Sequence, residues 1–222
     1  MNCIVFDSGA IISLAMNDLL WTLKVLKEKY DGEFYIPLAV KKEIVDKPLK
    51  SKRFKLEAIM VNNLIREGVL KVQNVSDIKE IMFLANNLYQ ADGKNITILQ
   101  QGEIEALVLA MKLNASAYVV DERTMRMFIE DMDGLKDLLE RKLNTRVSFD
   151  KNKFGQLKKM ISGINVIRSS ELMLVAYEKG LFKDYVKTVG KREFVDGLLW
   201  GLRLRGVAIS TDEINKLVKY ES

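Results

Sequence analysis

Short apolar runs alternate with amphipathic stretches along the chain. Cys3-Ile4-Val5-Phe6 is a continuous apolar run of strand length, the pattern of a strand covered on both faces. Asp7-Ser8 then offers helix-capping chemistry, and Ile11, Ile12, Leu14 and Ala15 lie on a helix beginning near Gly9. Leu19, Leu23 and Leu26 recur at helical spacing and predict a second helix over about 19–29, closed at Asp31-Gly32. Phe34-Tyr35-Ile36 predicts a short strand that Pro37 stops, and a helix follows through Val40, Ile44 and Val45.

From about Lys52 to Leu88 the pattern is largely helical, with Leu56, Ile59, Met60 and Leu64 in one stripe. Gly68 marks a helix stop there, and Leu70-Lys71-Val72 a short strand. Ile104, Leu107, Val108 and Met111 place a helix after Gln101-Gly102. Ala117-Tyr118-Val119-Val120 is another buried strand, running directly into Asp121. Helices are expected at about 134–143 and 153–161, and a strand at 164–167. Ser169-Ser170 caps a helix ending at Gly180, a further helix spans about 192–204, and Ser210-x-x-Glu213 forms a capping box for the last one. Buried strands separated by helices predict an α/β fold on a parallel sheet. With two prolines and no linker-like tract, 1–222 reads as a single unit. It carries helical insertions at about 46–92 and 133–162 and a helical extension at about 183–222.

Composition then narrows the chemistry. The 222 residues contain no histidine and one cysteine. That excludes Ser-His-Asp and Cys-His nucleophile systems, an imidazole base and histidine-ligated metal, as well as an intramolecular disulfide. An enzyme built from this chain works with carboxylates, amines, hydroxyls or an oxygen-ligated metal. Asp7 interrupts the apolar N-terminus and charge breaks every other apolar run, so neither a signal peptide nor a membrane span is expected. Those features and the scarce cysteine predict a cytoplasmic protein. The formal net charge of +5 mildly favours an anionic partner such as nucleic acid.

Acidic residues stand where a parallel sheet puts its functional groups. Asp7 and Asp121 directly follow the carboxyl ends of two strands, and Glu43, Glu103 and Glu105 sit near the starts of helices. Right-handed connections gather these positions at one sheet edge. Singly, each has a plain structural role: a helix cap for Asp7 or Asp121, a favourable first-turn charge for Glu103 or Glu105, a solvated face for Glu43. Together they would repel unless a cation neutralised them, and hard oxygen donors select Mg²⁺ or Mn²⁺. Glu103 and Glu105 flank the Ile104 stripe on opposite sides, and spacing does not choose between them.

The order Ile4-Val5-Phe6-Asp7-Ser8, Ile36-Pro37-Leu38-Ala39-Val40-Lys41-Lys42-Glu43, Gly102-Glu103-Ile104-Glu105-Ala106-Leu107 and Tyr118-Val119-Val120-Asp121-Glu122-Arg123 resembles the PIN-domain nucleases. It is most similar to the prokaryotic branch with a G-E-x-E-A motif and a helical C-terminal tail. The resemblance implies a three-layer α/β/α sandwich with a central, mostly parallel sheet. It further implies Mg²⁺- or Mn²⁺-dependent cleavage of single-stranded RNA, frequent homodimerisation, and often a role as the toxin half of a toxin–antitoxin pair. By resemblance Asp7, Glu43, Glu105 and Asp121 match the family's acidic quartet, Glu103 is a fifth acid at the metal, and Ser8 supports the first aspartate. Val119 stands where the family often has threonine.

Basic residues complete the picture. Lys41, Lys42, Lys47, Lys50, Lys52, Arg53 and Lys55 crowd around Glu43, and Arg123 and Arg126 follow Asp121. Lys41, Lys42, Arg123 and Arg126 are the candidates for contacting phosphates; a solvated helix face and a salt bridge to Glu122 or Glu130 are the plain alternatives. Two other functions fit parts of the pattern. One is a nucleic-acid-binding module with a degenerate site. The other is a phosphohydrolase with Asp7 as nucleophile, although the second aspartate such enzymes carry two residues later is Gly9 here.

Overall fold

The computed structural model describes residues 2–221. The chain opens with β1 (Cys3–Phe6), α1 (Ser8–Met16), α2 (Trp21–Tyr30), β2 (Glu33–Pro37) and the four-residue α3 (Leu38–Lys41). A π-helical turn over Lys42–Asp46 and a 3-10 turn over Pro48–Lys50 lead into α4 (Lys55–Arg66), β3 (Leu70–Gln73), α5 (Lys79–Asn86), β4 (Tyr89–Ala91) and β5 (Lys94–Asn95). Then follow α6 (Gln101–Lys112), β6 (Ala117–Val119), α7 (Arg123–Glu130), α8 (Met132–Leu143), β7 (Val147–Phe149), α9 (Lys151–Met160) and β8 (Val166–Ile167). Helices α10 (Ser169–Glu178), α11 (Lys183–Val189), α12 (Lys191–Leu204) and α13 (Thr211–Glu221) complete it.

The central sheet is parallel throughout, in the order β3-β2-β1-β6-β8. Its register explains the uninterrupted apolar runs. Ile4 lies beside Phe34 and Ala117, and Val5 beside Tyr35 and Tyr118. Alternate residues therefore face opposite layers. Ile4, Phe6, Phe34, Ile36 and Val119 pack on a core with residues of α1, α2, α4 and the C-terminal helices. Val5, Tyr118 and Val120 pack on a second core with residues of α5 to α9. The result is the α/β/α sandwich with a helical extension that the resemblance implies.

Several local signals act as read. Gly68 closes α4 with φ of +72°, where a side chain would be strained. Ser210 and Glu213 form their reciprocal capping box: the Glu213 amide donates to Ser210 Oγ at 3.1 Å and the Ser210 amide to Glu213 Oε2 at 3.2 Å. The expected short strand at Leu70-Lys71-Val72 is β3, an edge strand of the main sheet, and it separates the two helices of the stretch from 52 to 88. Other expectations are corrected. The helix through Val45 loosens after Lys41 into the π turn, closed by the Lys47 amide on the Lys42 carbonyl at 3.0 Å. Ser169 and Ser170 lie inside the first turn of α10, with Arg168 at the cap position. A small antiparallel sheet, β5-β4-β7, has no counterpart in the sequence pattern. Its strands are only two or three residues long, too short for an alternation to register.

Candidate active site

β1 and β6 end side by side, with Phe6 paired to Val119. The Asp7 amide continues the ladder by donating to the Val119 carbonyl at 3.0 Å. Asp7 is buried, and Oδ1 of its carboxyl is a buried acceptor without a hydrogen-bond partner. Burial pushes this carboxyl up to about 6, against the neighbouring amides of Ser8 and Gly9, and the charges of Glu43 and Asp121 add to the rise. Glu43 is exposed on the π turn, and its charge reaches Asp7 at the same edge. A Cβ on Gly102 would stand 3.4 Å from Glu43 Oε2, so the glycine leaves that carboxylate its room.

The two glutamates of α6 separate clearly. Glu103 caps its own helix, accepting the Gln100 amide on Oε2 at 2.7 Å. Its carboxyl is raised to about 7 by desolvation first, and then by the charges of Asp7, Glu122 and Glu43. Glu105 is buried, with both oxygens engaged elsewhere. Oε2 accepts the Ala39 amide at 3.0 Å and Oε1 accepts Gln101 Nε2 at 2.8 Å. Glu105 thus ties α6 to the start of α3, while Glu103 shares the electrostatics of Asp7 and Glu43.

Asp121 is buried just past β6 and held from three directions. Ser169 donates its amide to Oδ1 at 2.8 Å and its hydroxyl to Oδ2 at 2.7 Å, and the Ser13 hydroxyl also hydrogen-bonds the carboxylate. Desolvation nevertheless keeps the carboxyl above its ordinary range, opposed by these donors and by the Arg168 charge. Arg168 is clamped by Glu171 and Glu213, each at 2.7 Å, and donates to the Ala208 carbonyl at 3.1 Å. The C-terminal helices therefore help orient Asp121.

The remaining candidates divide. Ser8 begins α1, and its hydroxyl makes no hydrogen bond among the described residues. Lys41 is paired with Asp46 at 2.7 Å, and Arg126 with Glu130 at 3.3 Å, the ion pair given as the plain alternative for that arginine. Lys42 and Arg123 are exposed with no ion pair among the described residues. Glu122 caps α7 by accepting the Met125 amide at 2.8 Å, and its charge also reaches Glu103.

Sequence reading missed Ser13, Ser169 as a partner of Asp121, and Tyr118. A serine inside the apolar stripe of α1, buried beside Ile11 and Leu14, was the available signal for the first. Tyr118 is fully buried in β6 and its hydroxyl has no partner. Burial raises it well above the usual phenol range, with the charges of Asp7 and Glu103 contributing. No signal short of the strand register could have aimed it at the acids.

Among the described residues, no three acidic or cysteine side chains stand close enough to hold a metal ion as they are. The donor chemistry nonetheless suits a hard divalent cation: the oxygens are carboxylate, two of the acids hold their protons too strongly, and Asp7 Oδ1 lacks a partner. No curated protein and no solved structure gives a significant match to the chain. A sequence profile described as a PIN domain matches residues 3–135, which runs from β1 into the start of α8 and includes Asp7, Glu43, Glu103, Glu105 and Asp121. With more than half its length so matched, this chain belongs to the PIN-domain family.

Proposed function

We propose that the protein is a Mg²⁺- or Mn²⁺-dependent endoribonuclease that cleaves single-stranded RNA, with Asp7, Glu43, Glu103 and Asp121 as its acidic site. PIN domains are generally nucleases and typically use divalent metal ions. The observation that carries the reading is that β1 and β6 end side by side and set Asp7 and Asp121 at one edge of the sheet, where the charges of Glu43 and Asp121 act on Asp7 and those of Asp7 and Glu43 act on Glu103. A bound cation would neutralise these groups and stabilise charge on the phosphoryl oxygens. Asp7 offers its unpartnered oxygen, Glu103 the oxygen not spent on its cap, and Asp121 a carboxylate fixed in place by Ser13 and Ser169. Glu105, whose oxygens are both used, holds α6 against α3 in this reading and leaves the cation to Glu103. Lys42 and Arg123 are the cations free to meet phosphate, and the Ser8 hydroxyl is free to support Asp7.

The resemblance to toxin nucleases supports extending the proposal to a cytoplasmic homodimer that acts as a toxin restrained by an antitoxin protein. Among the described residues no helix is long and apolar enough to cross a membrane, which agrees with that setting. Growth arrest on expression, relieved by the product of a neighbouring gene, tests the toxin role.

The central claim is tested with purified protein, single-stranded RNA and Mn²⁺. Cleavage should stop with EDTA and in Asp7→Asn or Asp121→Asn, and cleavage that survives both substitutions overturns it. A second reading, an RNA-binding module with an unused site, draws on the absence of three converged ligands among the described residues. It predicts RNA binding indifferent to metal, without turnover.

A further inference from the structure

Beside Glu43 the surface opens into a mostly apolar cavity of about 180 Å³ between α1, the π turn and α4. Ile12, Ile44 and Phe54 contribute apolar walls, and Glu43 and Glu57 supply carboxylates. Phe54 is unusual in two ways. It is 42% exposed, and it holds φ of +59°, a left-handed conformation that is strained for a bulky side chain. Its carbonyl starts α4 by accepting the Ala58 amide at 3.1 Å, and the Arg53 guanidinium lies over its ring at 4.6 Å. The preceding loop is braced by Ser51, whose hydroxyl lies 3.1 Å from the Pro48 carbonyl and 2.7 Å from the Arg53 carbonyl, either of which can accept its one proton. An aromatic ring is thus fixed at the mouth of an apolar cavity by a rigid turn.

Charge around the cavity points to its occupant. Lys47, Lys50, Lys52 and Lys55 are exposed and make no ion pair among the described residues. Four unpaired lysines on the segment that brings Pro48 and Phe54 to the cavity suit a polyanion that carries flat apolar rings. An apolar protein side chain would fill the cavity but leave these lysines without counter-charge. Glu57 has no protein partner among the described residues and accepts hydrogen bonds only, so it suits the amino edge of a base.

We propose that this cavity is a nucleobase-binding subsite that receives one unpaired, amino-bearing base of single-stranded RNA. The base stacks on Phe54 and offers its amino group to Glu57. The neighbouring phosphates lie along Lys47, Lys50, Lys52 and Lys55. Because Glu43 lines both the cavity and the acidic site, the base held here fixes which phosphodiester bond reaches the carboxylates. The proposal rests on the nuclease reading for its consequence, and on the cavity and its cations for the binding itself.

Fluorescence anisotropy with a labelled oligoribonucleotide, using the full chain carrying Asp7→Asn to prevent cleavage, tests it. Phe54→Ala should weaken binding by about tenfold, and Phe54→Tyr should bind like the parent. A scan of single abasic positions along the oligonucleotide should find one whose loss is large for the parent and absent in Phe54→Ala. Circular dichroism of each variant reads folding independently. Unchanged affinity in a folded Phe54→Ala, or abasic losses that simply add to it, overturns the subsite. So does a concentration-dependent dimer abolished by Phe54→Ala without any change in RNA affinity, which assigns the cavity to a contact between copies. Cleavage by the wild-type chain is measured separately. Base-dependent binding without cleavage defeats the nuclease reading alone, and cleavage indifferent to Phe54 defeats the subsite alone.

Discussion

Glu105 Oε2 accepts the backbone amide of Ala39 at 3.0 Å, across 66 residues of sequence, and so joins α6 to the first turn of α3. The second glutamate of Gly-Glu-x-Glu-Ala thereby ties two helices together, two residues beyond Glu103, which we propose as the acid that meets the metal. Glu105→Ala should destabilise the fold by about 2 kcal/mol, because it removes a charge-assisted bond and leaves a shielded amide unpaired. Glu105→Gln keeps an acceptor for Ala39 and should lose less than about 1 kcal/mol. Glu103→Gln should instead reduce cleavage by roughly a hundredfold without the loss of stability expected for Glu105→Ala. Urea titrations beside initial rates on the three variants make the comparison. Equal activity in Glu103→Gln and wild type would return the role to Glu105.

Metal-free stability should fall as pH rises from about 4 to about 7. Asp7 is raised to about 6 and Glu103 to about 7, so in this window the native state holds protons that the unfolded chain has released. Ionising these groups in the folded protein costs stability, on the order of 3 kcal/mol for Asp7. Carboxylates with lowered values, such as Glu33 beside Lys27 and Lys71, act oppositely and at lower pH. The difference between wild type and Asp7→Asn isolates the effect. The asparagine variant should be the more stable above pH 7 without metal, and Mn²⁺ should erase that advantage. Parallel stability curves for the two proteins from pH 4 to 8 would refute this.

The Ser169 hydroxyl, 2.7 Å from Asp121 Oδ2, connects the C-terminal helices to the site. Ser169→Ala should cost about 1–2 kcal/mol in stability and lower Mn²⁺ affinity, since a looser Asp121 is a worse ligand. Ser170→Ala is the control: its buried hydroxyl has no partner, so it should be neutral or slightly stabilising. Calorimetric titration of Mn²⁺ into both variants gives the comparison. Equal affinities would confine Ser169 to a structural role.

The sequence resolved some parts of this architecture and not others, for physical reasons. The central strands were legible because burial on both faces leaves nothing but apolar residues, as in Cys3-Ile4-Val5-Phe6. The strands of the small antiparallel sheet were not, because Lys94-Asn95 and Tyr89-Gln90-Ala91 carry no period. The acids at strand ends were visible because topology alone assigns them an edge. The engagement of both Glu105 oxygens was not, because it turns on a contact with Ala39 far away in sequence. The same holds for Ser13 and Ser169: a polar residue in an apolar stripe signals a buried partner without naming it.

Tyr118 supplies a sharper case of a group only the register can place. It pairs with Val5 in the sheet, and Asp7 lies two residues beyond Val5, so both project toward the layer that contains Glu103. The Tyr118 hydroxyl and Asp7 Oδ1 are both buried and both lack a partner. An unpaired buried hydroxyl costs about 1–3 kcal/mol, which Tyr118→Phe would remove at almost unchanged volume. In metal-free protein the phenylalanine variant should therefore match or exceed wild type, by up to about 1 kcal/mol. Tyr118→Leu would add a packing defect and should be less stable than either. A loss of more than about 1 kcal/mol in Tyr118→Phe, measured by urea unfolding at pH 7, would mean that the hydroxyl is paired in solution through an ordered water.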